Sequence, residues 1–397
     1  MITTPVTTIM PVCPLPRVLL GPGPSCLPPE VARALSAPMM GHMDPAFTSI
    51  MDNVRYMLGK VFQTQNAQCI SLPGGGMAAM QSAFTNVVEP GDTVIIGIAG
   101  YFAGRMVSIA ERLGARVMRV DAEWGQTMPP EAFEAILKRE QVKAVAVVHG
   151  ETSTGVEQPV AEISRLAHKY GAFILVDAVA SIGGVNVPVD EWDLDVCYGG
   201  SQKCLSAPPG VAVITVNERT MQAIRTRKTP IASFYLDLSL LEKYWLGVPR
   251  AYHHTAPVPL VYGLHEALRL TLEEGLEARF ARHARLSKAL LAGLESMGLQ
   301  RFADPQHRLP SVTTVRVPAG VDELRLRKAL LNEFNIEIGG GLGPVASKIW
   351  RIGLMGYSAS FANVVLVLGA LEVLLAREGY KVPGGAALAA AAALEQS

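Results

Sequence analysis

The sequence predicts an α/β fold: a large domain with a mostly parallel seven-stranded sheet, then a smaller C-terminal α/β domain. Three observations carry this. Short apolar runs alternate with amphipathic stretches from about residue 68 to 216, and such alternation implies parallel strands joined by helices. The runs are four to six residues long and nearly all apolar, as strands covered on both faces must be. After about Pro259 the texture changes to a long Leu-, Ala-, Glu- and Arg-rich stretch, followed by a second and shorter set of elements. A chain of 397 residues has the length for two domains at roughly 150 residues each.

Taken in order, the expected strands are 68–72, 93–98, 116–120, 143–148, 172–177, 195–198 and 211–216. Helices are expected between them over 77–88, 102–113, 129–140 and 159–170. Pro129-Pro130 ahead of Glu131 is a helix-start signal, and Gly114 and Gly171 suit helix ends because glycine adopts the left-handed conformation without strain. One long helix is expected from Val261 to about Met297. A strand over 311–317, a helix over 322–333, short strands near Ile336 and Ile349 and a helix over 359–376 follow it. The domain reading is an arm at 1–20, a large domain at 21–260, a linking helix with a small domain at 261–380, and a tail at 381–397. The tail is expected to be flexible, because its alanine run presents no distinct apolar face.

Composition narrows the function. Thirty-five basic and thirty-five acidic side chains leave no net field, and no basic run is interleaved with aromatics, so nucleic acid is not expected as a partner. No uninterrupted apolar stretch reaches the roughly 18 residues of a spanning helix, so no membrane role is expected. With neither a signal peptide at the start nor a Ser-Lys-Leu type ending, a cytoplasmic location is expected. Five cysteines without CxxC spacing read as reduced thiols, and no metal site is expected.

Three features carry chemistry. Lys203 lies in Ser201-Gln202-Lys203-Cys204-Leu205-Ser206-Ala207-Pro208-Pro209-Gly210, a loop of small and apolar residues after a strand. Burial in such a loop can strip a lysine of its proton and make it an amine nucleophile toward a carbonyl, though most lysines are solvated surface groups. Asp177 closes the apolar strand Phe173-Ile174-Leu175-Val176, at the edge where such sheets bind ligands. Alone it reads first as a helix N-cap or a surface turn. A lysine 26 positions later, after the following strand, gives it weight: one residue can hold a pyridinium nitrogen and the other the aldehyde carbon of the same ring. Pro73-Gly74-Gly75-Gly76-Met77 lies between a strand and a helix, where backbone N–H groups can approach an anion. It matches neither the dinucleotide nor the P-loop fingerprint, and a plain tight turn fits it too.

Beyond these features, Leu20-Gly21-Pro22-Gly23-Pro24-Ser25, His149-Gly150-Glu151-Thr152-Ser153-Thr154-Gly155-Val156, Val176-Asp177-Ala178-Val179-Ala180-Ser181, Ser201–Gly210, Tyr252-His253-His254-Thr255 and Arg351-Ile352-Gly353-Leu354-Met355-Gly356 occur in this order. Together they resemble the alanine–glyoxylate (serine–pyruvate) aminotransferases of class V, from about residue 18 to 377. The resemblance implies a type I pyridoxal-phosphate (PLP) aminotransferase fold and a homodimer with the active site at the subunit boundary. It makes Lys203 the Schiff-base lysine and Asp177 the partner of the pyridinium nitrogen. By the same resemblance Thr152 bonds the ring's 3-oxygen, while Gln202 and the amides of Gly75, Gly76 and Met77 hold the phosphate. Tyr252 and Thr255 reach that phosphate from the other subunit, and Arg351 clamps the substrate carboxylate.

Two positions depart from the family. Gly75-Gly76-Met77 stands where Ser-Gly-His is frequent, so a phosphate-binding hydroxyl is missing, and Phe102 takes the place of the Trp that stacks on the ring. The implied reaction moves the amino group of alanine or serine to glyoxylate or pyruvate. The alternatives are a non-catalytic binding protein on this fold or a cysteine desulfurase. The latter is disfavoured because no cysteine follows Cys204 to act as nucleophile.

Overall fold

The computed structural model describes residues 11–396. The seven expected strands form one sheet, ordered Gln68–Pro73, Val211–Val216, Val196–Gly200, Phe173–Asp177, Ala144–Val148, Thr93–Ile98, Arg116–Asp121. The pairs from Val196–Gly200 to Arg116–Asp121 are parallel, and helices Tyr101–Arg112, Pro130–Leu137 and Val160–Lys169 lie among their connections. Gly114 (φ +78°) and Gly171 (φ +75°) follow the helix ends as expected of them. Val211–Val216 is antiparallel to both neighbours. The cause is local: only residues 201–210 join it to Val196–Gly200, too few for a crossover helix, so the chain must turn straight back. Gly199 and Gly200, expected just beyond a strand, are its last two residues.

Two corrections concern the C-terminal third. The single long helix is two, Val258–Glu274 and Leu276–Ser296, broken at Gly275 with φ +82°. The first packs into the core of the large sheet through Val261, Leu264 and Leu268; the second joins a separate core through Leu286, Leu290 and Leu294. Leu-, Ala- and Glu-rich sequence favours helix on both sides of a glycine, so periodicity alone did not reveal the break. Within the segment expected as a tail, residues 381–396 are not loose: helix Ala386–Glu395 packs on Leu276–Ser296 and Phe361–Arg377, with Ala386 and Ala390 fully buried. Small methyls let helices approach closely, and Gly293 lies where an added Cβ would meet Leu368 and the Ala386 carbonyl.

The second core surrounds a three-stranded antiparallel sheet in the order Val312–Arg316, Ile349–Gly353, Gly339–Gly340. Residues 1–10 of the expected arm lie outside the described residues. Val18–Leu19 pairs in parallel with Ile336–Glu337, and Leu20 is buried in the second core. From Val18 the chain therefore runs along the smaller unit before crossing to the large sheet. Among the described residues no helix is long and apolar enough to cross a membrane, and no cluster of three or more His, Cys, Asp or Glu side chains could hold a metal.

Candidate active site

Three strands of the large sheet deliver their carboxyl ends to one edge. Asp177 pairs in register with Tyr198, Gly200 with Ala212, and Pro73 with Val211. The loops after 177, 200 and 73 thus emerge side by side. Gly75, Gly76, Met77, Phe102, Thr152, Asp177, Gln202 and Lys203 line one cleft there.

Lys203 sits in the turn that follows strand Val196–Gly200, and its ammonium donates to the Pro22 carbonyl. Burial lowers its pKa to about 8, with the nearby Arg351 charge acting the same way. Its free-amine share at a given pH is therefore larger than a surface lysine's. Asp177 is 4% exposed, and one oxygen accepts the Val179 N–H at 2.9 Å. Burial raises its pKa to about 7, the Val179 bond opposes the rise, and the Glu151 charge adds to it. A carboxylate held this high accepts a cationic N–H as partner, because pairing removes the penalty of burying its charge alone.

The first turn of helix Gly76–Val87 opens into the cleft, and its N-cap Gly75 makes no side-chain cap. The dipole and unpaired amides of such an end favour an anion. Gln202 adds a carboxamide whose buried oxygen has no hydrogen-bond partner. An amide that can turn end for end leaves its NH₂ to face that anion. A glycine cradle for a phosphate, a carboxylate for a ring nitrogen and an amine for an aldehyde are the donor set of PLP, and the residues present fit it.

Arg351 lies on strand Ile349–Gly353 of the second sheet. Its guanidinium donates to the Gly340 carbonyl at 2.7 Å and the Thr152 carbonyl at 3.2 Å, which sets it against Thr152 of the cleft lining without making it a lining residue itself. Tyr252 and Thr255 do not join the cleft of their own chain: both are exposed, Tyr252 by 64%.

Sequence reasoning assigned no role to Glu151 or to Pro22-Gly23. Glu151 is fully buried and accepts from the Ser153 hydroxyl at 2.7 Å, the Ser153 N–H at 3.0 Å and the Phe102 N–H at 3.3 Å. It caps helix Tyr101–Arg112 and so fixes Phe102 in the cleft wall. Gly23, at φ +105°, lies where any Cβ would overlap the Lys203 side chain. Both residues fall within motifs quoted above, but only their three-dimensional neighbours reveal the work they do.

Comparison with known proteins agrees with this geometry. Residues 19–363 match the aminotransferase class-V family. The chain is 44% identical to (S)-ureidoglycine–glyoxylate transaminase of Bacillus subtilis over 94% of each protein. It is 42% identical to alanine–glyoxylate aminotransferase of Rattus norvegicus, over 90% of this chain and 87% of that one. The crystal structure of ureidoglycine–glyoxylate aminotransferase from B. subtilis superposes with a TM-score of 0.95 at 44% identity, covering 97% of this chain and all of the other. That of alanine–glyoxylate aminotransferase from Nostoc sp. gives 0.91 at 43% identity, over 93% and 97%. With a match across nearly its whole length and a cleft furnished for PLP, the chain belongs to the class-V aminotransferases, which depend on that cofactor.

Proposed function

We propose that this enzyme moves the amino group of a small amino acid, alanine or serine, to glyoxylate or pyruvate. The observation that carries the reading is the convergence of Lys203 and Asp177 with the Gly75–Gly76 helix start in one cleft, with Arg351 bonded to Thr152 of its lining. Two relatives with 42% and 44% identity are named for glyoxylate as acceptor. One of them is named for (S)-ureidoglycine, so that donor belongs in any comparison.

PLP, when bound, supplies an aldehyde that takes up the amino group and a protonated ring that accepts electrons from the substrate α-carbon. Lys203 holds the cofactor's aldehyde carbon at rest and, once released, carries the α-proton on Nζ as general base and then acid. A pKa near 8 suits both roles, since neither protonation state is far from reach. Asp177 keeps the ring-nitrogen proton in place. Gln202 and the amides of Gly75, Gly76 and Met77 would hold the phosphate, Thr152 the ring's 3-oxygen, and Phe102 would cover the ring. Arg351 receives the substrate carboxylate in its planar fork.

In this reading two copies form a homodimer, and Tyr252 and Thr255 reach the other copy's phosphate. Support comes from the exposure of Tyr252 and Thr255 themselves, with Phe234, Tyr235 and Val248 exposed in the same stretch of chain. The test is a donor–acceptor screen with purified enzyme, joined to borohydride reduction and peptide mapping. Transfer from alanine or serine to glyoxylate with a pyridoxyl label on Lys203 is expected. A label on another lysine sinks the assignment, and absence of transfer from every small donor sinks the reaction.

A further inference from the structure

Lys203 is gripped at both ends by one loop. The Pro22 carbonyl takes its ammonium, and the Ser25 hydroxyl donates to its backbone carbonyl at 2.8 Å. The Ser25 N–H bonds the Gln202 carbonyl at 2.9 Å, which fixes the preceding residue as well. Ser25 Oγ also lies 3.0 Å from Ser206 Oγ, and Ser206 Oγ accepts the Tyr357 N–H at 2.7 Å.

The protons of this chain have one arrangement. Tyr357 N–H can only donate, and the Lys203 carbonyl can only accept. Ser206 therefore gives its proton to Ser25, and Ser25 gives its own to Lys203. Both serines are buried, at 4% and 1% exposure, so water does not compete for these bonds. Ser206 is also held at φ +56°, a left-handed conformation that strains a non-glycine residue. Gly356 comes so close that an added Cβ would overlap Ser206 Oγ.

The far end of the relay carries the second functional group. Tyr357 lies six residues beyond Arg351, at the end of the segment that continues strand Ile349–Gly353. That strand is fastened to the same N-terminal loop, since the Gly353 N–H donates to the Leu20 carbonyl at 2.7 Å. The lysine that acts on the substrate's α-carbon and the arginine facing its carboxylate belong to different cores, and buried hydroxyls connect their supports.

We propose that Ser25 and Ser206 are positioning residues: their hydroxyl relay registers Lys203 against the Arg351 strand, so that the amine meets the α-proton of a substrate whose carboxylate is anchored on the other unit. This rests on the reading of Lys203 as the cofactor lysine. Neither serine touches the cleft, so removing a hydroxyl should leave binding intact and spoil proton transfer.

The experiment uses holoenzyme of the wild type, Ser25→Ala, Ser206→Gly and the double variant. Ser206→Gly removes the hydroxyl and also relieves the backbone strain, so it guards against a variant that merely unfolds. Borohydride labelling of the wild type at Lys203 is checked first, and a label elsewhere overturns the underlying reading before any variant is compared. A misplacement of a fraction of an ångström should then lower kcat about ten- to a hundredfold, with KM for the amino donor changed by less than about threefold. The isotope effect on kcat with α-deuterated donor should rise, because proton transfer becomes the slow step. The double variant should be no worse than the more damaged single one, since either change breaks the same relay. Wild-type kcat in Ser25→Ala overturns the proposal, as does a loss of kcat without a larger isotope effect.

Discussion

The Lys203 ammonium donates to the carbonyl of Pro22, 181 positions earlier in the chain, and the α-carbon of Gly23 lies against the lysine's own methylenes. The N-terminal loop is thus the lid over the reactive amine. Gly23→Ala places a methyl in that space at φ +105°, where a side chain is strained as well. The expected result is loss of at least about tenfold in kcat, with weaker visible absorbance from bound cofactor. Normal absorbance and turnover would show that the loop yields freely.

Asp177 should leave a pH signature in the cofactor-free protein. Its folded pKa, about 7, lies above the unfolded value of 3.8, so its contribution to stability is full below pH 4 and is lost as pH rises through 7. The slope cannot exceed about 1.4 kcal/mol per pH unit. Asp177→Asn has no such titration. The melting temperature of the variant minus that of the wild type should therefore climb between pH 4 and 7 and then level off. Parallel profiles would place the carboxylate's pKa in the ordinary range. With cofactor bound, the same variant should retain it and turn over slowly, because a neutral amide no longer holds the ring proton.

Gly75→Ser restores the hydroxyl frequent in the family. The structure removes the main objection to it: Gly75 has φ −85° and an added Cβ meets nothing within 4 Å. One bond to a charged phosphate is worth on the order of 1.5–3 kcal/mol at best. Cofactor should leave the variant more slowly on dialysis, with kcat little changed. Equal or faster loss would mean that the phosphate does not sit at this helix start.

Arg351→Ala removes the carboxylate fork and also the bond to the Thr152 carbonyl. Losing a charge-assisted clamp should lower kcat/KM for alanine and serine by about ten- to a hundredfold. Retained efficiency would move carboxylate recognition elsewhere.

Removal of residues 384–397 should now destabilise the protein. Truncation exposes the surface covered by Ala386 and Ala390 and deletes the Ala386 N–H bond to Glu372, 2.7 Å. At about 0.8 kcal/mol per buried methyl, melting should fall by about 2 °C in a chain of this length. An unchanged melting temperature would show that the helix contributes nothing by docking.

The sequence by itself determined what depends on near neighbours. Short, nearly all-apolar runs and amphipathic stretches specified seven strands and the helices expected between them, because local burial follows directly from the order of residues. The same runs located Asp177 and Lys203 at strand ends, where a parallel sheet collects its loops. Tertiary structure alone decided the antiparallel course of Val211–Val216, the break at Gly275 and the docking of the alanine-rich helix. It alone set Pro22 and Gly23 over Lys203 and buried Glu151 under Phe102. The physical reason is common to all of these. Each depends on which distant surface is close enough to accept a carbonyl, a methyl or a bare α-carbon, and local residue order carries no record of that distance.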